Sequence, residues 1–137
     1  MKALIYSRTG MTEQQTPATL TTPQIRNKLK DSHHDHEKIL KSGEYIKAEK
    51  RDLYLIMQDD GNLCLYPSPH GGSSTCIWAS DTYKKGRAPY TLVMQEDGNL
   101  VIYDADRKPT WATGTHGKGS GCHFYCQDDG NLVVYDC

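Results

Sequence analysis

The sequence predicts an all-β protein assembled from three copies of one strand-forming unit, and three observations carry that reading. A nine-residue phrase, Gln58-Asp59-Asp60-Gly61-Asn62-Leu63-Cys64-Leu65-Tyr66, recurs as Gln95-Glu96-Asp97-Gly98-Asn99-Leu100-Val101-Ile102-Tyr103 and as Gln127-Asp128-Asp129-Gly130-Asn131-Leu132-Val133-Val134-Tyr135. Self-similarity at a period of about 20–50 residues marks repeat architectures, and here the offsets are 37 and 32 residues. A short apolar run precedes each copy (Leu53 to Met57, Leu92 to Met94, Phe124 to Cys126), and a Trp-Ala pair follows the first two, Trp78-Ala79 and Trp111-Ala112. The unit is therefore an apolar run, a polar phrase, a tyrosine, a turn and a tryptophan.

Inside the phrase the side chains alternate. Successive strand residues point to opposite faces, so Gln58, Asp60, Asn62, Cys64 and Tyr66 share one face while Leu63 and Leu65 point to the other. The same parity sets Gln95, Asp97, Asn99, Val101 and Tyr103 against Leu100 and Ile102, and Gln127, Asp129, Asn131, Val133 and Tyr135 against Leu132 and Val134. Asp-Gly is a strong hairpin signal. The alternation nevertheless keeps its register across the glycine in all three copies, so each phrase is expected to run as one strand, with Gly at a bulge or a close approach by a ligand.

Composition sets the bounds. The 137 residues, 36% hydrophobic and 24% charged, fit one compact domain and exclude a large multidomain enzyme. Nine Tyr against two Trp and one Phe favour half-exposed rings with a polar tip. Residues 1–51 carry 10 basic and 6 acidic side chains, residues 52–137 carry 6 and 11. An acidic second part argues against a nucleic-acid partner, which needs clustered Lys and Arg. No apolar stretch approaches the length of a membrane span, and the start Met1-Lys2-Ala3-Leu4-Ile5-Tyr6 is too short for a signal-peptide core. The chain is thus read as cytosolic, as leaving the cell by a leaderless route, or as processed.

The polar row has a chemistry of its own. A carboxylate accepts, an amide donates and accepts, and a phenol does either, so Asp, Asn, Gln and Tyr together satisfy adjacent hydroxyls that each donate and accept. A sugar edge is such a target, and Val101 and Val133 would add apolar contact for a pyranose C–H face. A merely solvated face has no physical reason to repeat the same polar types at one parity three times.

These residues resemble the signature of the bulb-type (monocot, snowdrop-like) mannose-binding lectins, a family also found in fish and fungi. The pattern Gln-x-Asp-x-Asn-x-Val-x-Tyr stands complete at 95–103 and 127–135 and with one substitution at 58–66. The likeness covers residues 39–137, where Leu40-Lys41-Ser42-Gly43-Glu44-Tyr45-Ile46 is similar to the family's opening strand and turn. It implies a β-prism II of three small antiparallel sheets about a pseudo-threefold axis, with one shallow, calcium-independent mannose site per sheet and no catalysis. By that likeness Gln95, Asp97, Asn99, Gln127, Asp129 and Asn131 bind sugar hydroxyls, the axial 2-hydroxyl among them, and Tyr103 and Tyr135 hold the 4-hydroxyl. Cys64 stands in the place of Val, which makes Gln58, Asp60, Asn62, Cys64 and Tyr66 a doubtful site, more so if a Cys64–Cys76 bridge crowds it. The third copy lacks the Trp-bearing strand, in the family commonly exchanged between subunits, which leaves the closing of the prism and the usual dimer open. Mannose-containing glycans and a homo-oligomer, dimer or higher, are the implied partners.

Residues 1–38 have no counterpart in that likeness and read as an N-terminal extension of unknown role, ahead of a lectin domain at 39–137. Its Thr-, Gln- and Pro-rich stretch 11–24 reads as linker. Thr22-Pro23 with Ile25, Leu29, His36 and Leu40 near helical spacing, and Gly43 beyond, outline a short helix. His33-His34-Asp35-His36-Glu37 is a polar face or a metal cluster, and no Cys or further His lies at zinc-finger spacing. Five cysteines (Cys64, Cys76, Cys122, Cys126, Cys137) allow two disulfides and one thiol, or reduced thiols. An EF-hand Glu is missing at the twelfth position from Asp60 (Gly71) and from Asp97 (Lys108), and no catalytic or nucleotide-binding motif occurs, so neither metal nor cofactor is implied. The rival to a lectin is a structural, adhesive or defence protein that keeps the prism and oligomerises but has lost some or all sugar binding.

Overall fold

The computed structural model describes residues 2–6, 26–68, 75–117 and 121–135. In chain order its elements are β1 (Lys2–Tyr6), β2 (Lys28–Lys30), α1 (Asp35–Lys38), β3 (Ile39–Lys41), β4 (Tyr45–Lys47), β5 (Tyr54–Met57), β6 (Leu63–Tyr66), β7 (Trp78–Ala79), β8 (Thr91–Met94), β9 (Leu100–Tyr103), β10 (Pro109–Ala112), β11 (His123–Cys126) and β12 (Leu132–Tyr135). They form three four-stranded antiparallel sheets, ordered β4-β5-β6-β7, β3-β8-β9-β10 and β2-β11-β12-β1. Each sheet reads the same way: a short leading strand, the apolar run, the second half of the phrase, and a closing strand. This is the three-sheet architecture expected of a β-prism.

The core repeats with the sheets. Ile46, Leu55 and Leu65 lie directly opposite one another across the first sheet, Leu40, Leu92 and Ile102 across the second, and Leu29, Phe124 and Val134 across the third. All nine are at most 1% exposed and form one cluster with the second-row pairs Met57–Leu63, Met94–Leu100 and Cys126–Leu132. Full burial of one such side chain stabilises by about 1.5–3 kcal/mol. The three sheets thus hold one another through a shared centre.

The phrase is not a single strand. Each is a hairpin, with β5, β8 and β11 ending just before it and β6, β9 and β12 forming its second half. In the first, Gln58 N–H donates to Asn62 O (3.0 Å), Gly61 N–H to Gln58 O (3.1 Å), and Asn62 N–H to Asp60 Oδ1 (2.9 Å). The other two copies repeat these bonds within 0.1 Å. Gly61, Gly98 and Gly130 have φ of 89°, 89° and 87°, the left-handed region that turns the chain and that side chains avoid. The Asp-Gly signal therefore marks the turn, and the expected continuous strand is corrected. Alternation survived because the turn returns the chain so that Gln and Tyr of each phrase still meet.

The helix expected after Thr22-Pro23 is reduced to the four residues of α1. Leu29 and Leu40, which suggested helical spacing, lie in β2 and β3 and are buried against Phe124 and Leu92. Stretch 11–24, Thr22-Pro23, Ile25 and Cys137 lie outside the described residues. The strand missing after the third phrase is supplied by β1, with Lys2 opposite Tyr135, Ala3 opposite Val134 and Leu4 opposite Val133. Its Tyr6 ring stands 6.3 Å from Trp78, which in turn meets Trp111 edge-on at 5.8 Å. The closing strands of all three sheets thereby bring an aromatic ring to one cluster.

Candidate functional site

Hairpin geometry brings the polar residues of each phrase together. The turn carries Gln, Asp and Asn, and the far end of the second strand carries Tyr. In the second site Gln95 Nε2 donates to the Tyr103 hydroxyl, and in the third Gln127 Nε2 donates to the Tyr135 hydroxyl. Asp97 and Asp129 each spend one oxygen on the turn, at 2.9 Å from Asn99 N–H and Asn131 N–H, and both are exposed. Asp129 Oδ2 also accepts from Asn131 Nδ2 at 3.4 Å. Asp97 Oδ2 and the side-chain oxygen Gln95 Oε1 accept no hydrogen bond among the described residues. Val101 and Val133, 3% and 1% exposed, form the floor of these sites.

A second layer fixes the asparagine. Asn99 Oδ1 accepts from Thr113 Oγ1 (3.2 Å), Gly114 N–H (3.0 Å) and Thr115 N–H (3.2 Å), while Thr115 Oγ1 donates to Gly98 O at 2.6 Å. With its carbonyl held, the Asn99 amide directs its NH2 outward as a donor. Ser80 and Thr82 do the same at the first site: Asn62 Oδ1 accepts from Ser80 Oγ and Thr82 N–H, both at 3.2 Å, and Thr82 Oγ1 donates to Gly61 O at 2.7 Å. These hydroxyls were not singled out from sequence. Their signal is the shared Trp-Ala-Ser/Thr-x-Thr spacing of Trp78–Thr82 and Trp111–Thr115.

The first site has the same parts closed upon themselves. Tyr66 is 5% exposed and donates to Gln58 Oε1 at 2.6 Å, while Gln58 Nε2 donates to Asp60 Oδ2 at 3.0 Å and Asn62 N–H takes Asp60 Oδ1. Both ends of the glutamine and both oxygens of the aspartate are thus occupied. Cys64 and Cys76 are free thiols in contact with each other, without the contemplated bridge. Burial pushes the Cys64 thiol up to about 12, and burial with the Cys64 contact raises Tyr66 above the ordinary phenol value. Cys126 is also free, and burial pushes it up to about 12, whereas Cys122 is disulfide-bonded.

The surroundings distinguish the two open sites. The third opens into a hollow of about 390 Å³ lined by Tyr125, Glu49 and Asn27 beside Gln127, Asp129 and Tyr135. Tyr125 meets Tyr135 edge-on at 5.4 Å and His123 face-on at 6.1 Å, with Lys28 Nζ 5.6 Å from its ring centre. Burial, helped by Lys28 and Lys30, lowers the His123 pKa. The second site opens into a cleft of about 910 Å³ that residues 30–34, Glu37 and Lys38 share with Gln95 and Asp97. Among the described residues no group of three His, Cys, Asp or Glu is arranged to hold a metal ion, the 33–37 segment included.

Such an outward-facing set of acceptors and donors over an apolar floor suits a polyhydroxylated ligand, and the fold that carries it is shared with known proteins. The mannose-specific agglutinin from snowdrop (Galanthus nivalis) bulbs, solved in complex with methyl-α-D-mannoside, is similar at 34% identity and a TM-score of 0.67, covering 81% of this chain and 90% of its own. The native mannose-specific bulb lectin of bluebell (Scilla campanulata) is similar at 28% identity and a TM-score of 0.70, covering 82% and 92%. Among curated proteins, comitin of Dictyostelium discoideum is 44% identical over 91 residues, 59% of this chain; the match spans about half of comitin's length, 49%. No family model matches the chain. The chain belongs to the bulb-type lectins, a family of non-catalytic carbohydrate-binding proteins with the β-prism II fold.

Proposed function

We propose that the protein binds mannose-containing glycans through its second and third sites, without calcium. The first-line contacts are Gln95, Asp97, Asn99 and Tyr103 over Val101, and Gln127, Asp129, Asn131 and Tyr135 over Val133. The observation that carries this reading is the free acceptor capacity at Asp97 and Gln95, set beside an asparagine whose carbonyl is already held, on hairpins like those of a lectin solved with methyl-α-D-mannoside. A carboxylate acceptor and an amide donor on one edge match two adjacent hydroxyls. The first site, Gln58, Asp60, Asn62, Cys64 and Tyr66, contributes no sugar binding, because its polar atoms satisfy one another. The binding domain includes β1 and β2 along with residues 39–135, since these strands complete the third sheet. Each shallow site binds one sugar weakly, and two sites per chain, multiplied in a homo-oligomer, supply avidity.

Retention on mannose-agarose and elution by methyl-α-mannoside test the reading. Wild type is retained and binds two methyl-mannosides per chain in solution; Asp97→Ala/Asp129→Ala flows through. Failure of wild type to be retained in any oligomeric state overturns mannose binding in favour of a structural or adhesive role. Unchanged retention of the double variant overturns the site assignment.

A further inference from the structure

The loops that leave the three leading strands each face the second residue of a phrase, and two of them dock there. After β3 the turn at Gly43 approaches Asp59, where a Cβ on Gly43 would lie 3.7 Å from Asp59 Oδ1. After β4 the loop is clamped to Asp128: Lys50 N–H donates to its Oδ1 at 2.6 Å and Arg51 Nη1 to its backbone carbonyl at 3.2 Å. After β2 the loop is residues 31–38, and it stands across the cleft from Glu96 with no hydrogen bond or ion pair to residues 95–97 among the described residues. The gap between them is the cleft of about 910 Å³, more than twice the hollow at the third site.

The far wall of that cleft is fixed independently of any ligand. Asp31 N–H donates to Cys122 O at 2.9 Å, and Gly121 N–H to Asp31 Oδ2 at 2.7 Å. Arg26 Nη1 donates to His36 O (2.6 Å) and Ile39 O (3.0 Å), pinning the end of α1 to the sheet. Ser32 Oγ accepts from His34 N–H at 3.0 Å, and the His34 and His36 rings lie 5.5 Å apart. The loop therefore needs little ordering when something fills the space.

We infer that the second site is the protein's oligosaccharide site: Gln95 and Asp97 hold one mannose, and Ser32, His33, His34 and Glu37 contact the next one or two sugars from the facing wall. The inference rests on the mannose reading of the preceding subsection. Small-molecule sites run from about 300 to 1,000 Å³, so the third site has the size for one ring and the second for several. Exposed imidazoles suit this role, because the ring brings two polar nitrogens to sugar hydroxyls and offers its face to sugar C–H groups. The wall is charged with both signs, and its acidic members (Asp31, Glu37, Glu96, Asp97) outnumber Lys30 and Lys38. That balance favours neutral mannose units over sulfated, phosphorylated or sialylated ones.

Calorimetry on the full chain, with methyl-α-mannoside and a mannotriose as ligands, tests this. Asp129→Ala isolates the second site and Asp97→Ala isolates the third. With the second site alone, the trisaccharide is expected to bind ~10-fold or more tightly than the monosaccharide, about 1.4 kcal/mol. Adding His33→Ala/His34→Ala removes most of that preference and leaves monosaccharide affinity within about twofold, which also shows that the variant is folded. With the third site alone the preference is small. A trisaccharide preference that is absent at the second site, or that survives the double His substitution, overturns the inference while the mannose reading stands. Absence of binding by either sugar overturns both.

Discussion

Gly61 lies so close to the ring of Tyr90 that a Cβ built on it would stand 2.6 Å from Tyr90 Cζ. Tyr90 is 3% exposed and its N–H donates to Ser42 Oγ at 2.8 Å, so it cannot easily retreat. Gly61 also has a φ of +89°. Gly61→Ala therefore suffers both backbone strain and a clash, while Gly114→Ala, at φ +72° with nothing within 4 Å, suffers the strain alone. Urea unfolding should show losses of about 2–4 kcal/mol for Gly61→Ala and about 1 kcal/mol for Gly114→Ala. Equal losses would mean that Tyr90 does not pack against the turn.

Asn99 is oriented by hydroxyls two strands away in sequence, and that orientation is expected to matter for binding. Thr113 Oγ1 donates to Asn99 Oδ1 at 3.2 Å and accepts from Leu100 N–H at 3.1 Å. Thr113→Val keeps the shape and removes both bonds together with the 2.7 Å hydroxyl bond to Thr115 Oγ1. We expect roughly three- to tenfold weaker monosaccharide binding at the second site, corresponding to about 1 kcal/mol for a lost hydrogen bond. Affinity at the third site, measured in an Asp97→Ala background, should be unchanged.

The repeated phrase was legible because each copy keeps the four polar types that its site requires, and the core was legible from the intervening Leu, Ile and Val residues. The hairpin was obscured because its tight turn leaves the Gln and Tyr side chains meeting, so alternation looks unbroken across Gly61, Gly98 and Gly130. Leu29 and Leu40 mimicked one helix face although they belong to two sheets, a coincidence that only their partners Phe124 and Leu92 expose. The pairing of β1 with β12 joins opposite ends of the described chain, and no local pattern encodes such a contact. The cleft beside Gln95 was equally hidden, since it depends on where residues 31–38 land.

Thiol reactivity should follow burial. Burial pushes Cys64 and Cys126 up to about 12, so both thiols stay protonated at pH 8. Cys76 is partly exposed, its thiol donating to Trp78 O at 3.3 Å. Under native conditions iodoacetamide should label Cys76 first, with Cys64 and Cys126 modified only after unfolding, as read by mass spectrometry of intact protein and peptides. Labelling of Cys64 as fast as Cys76 would contradict its burial beneath the first site.

Asp104 gives the fold an acid-sensitive joint. Its Oδ1 accepts from Asp106 N–H and Lys108 N–H, both at 2.9 Å, and its Oδ2 from Arg87 N–H at 3.3 Å. These backbone bonds, that from Lys108 foremost, hold its carboxyl pKa below the ordinary value of 3.8. A depressed carboxylate pKa contributes stability that is present above the unfolded value and lost as pH falls through the folded one. Wild type should therefore be more stable than Asp104→Asn at pH 6, and the difference should shrink below about pH 4. A difference that stays constant across that range would show that the carboxylate charge plays no part.

The third sheet depends on a strand from the opposite end of the chain. β1 covers the edge of β12, whose Leu132, Val133 and Val134 are at most 1% exposed, and Tyr6 adds its ring beside Trp78. Removing residues 1–6 would leave β12 as an open edge carrying unpaired backbone groups, a template for pairing with other chains. We expect the truncated protein to melt at least roughly 5 °C lower and to associate with rising concentration in light-scattering chromatography. Because Tyr135 sits at the far end of β12 opposite Lys2, mannose binding at the third site should weaken while the second site keeps its affinity. An unchanged melting temperature and an unchanged third site would show that β1 is dispensable to the sheet it closes.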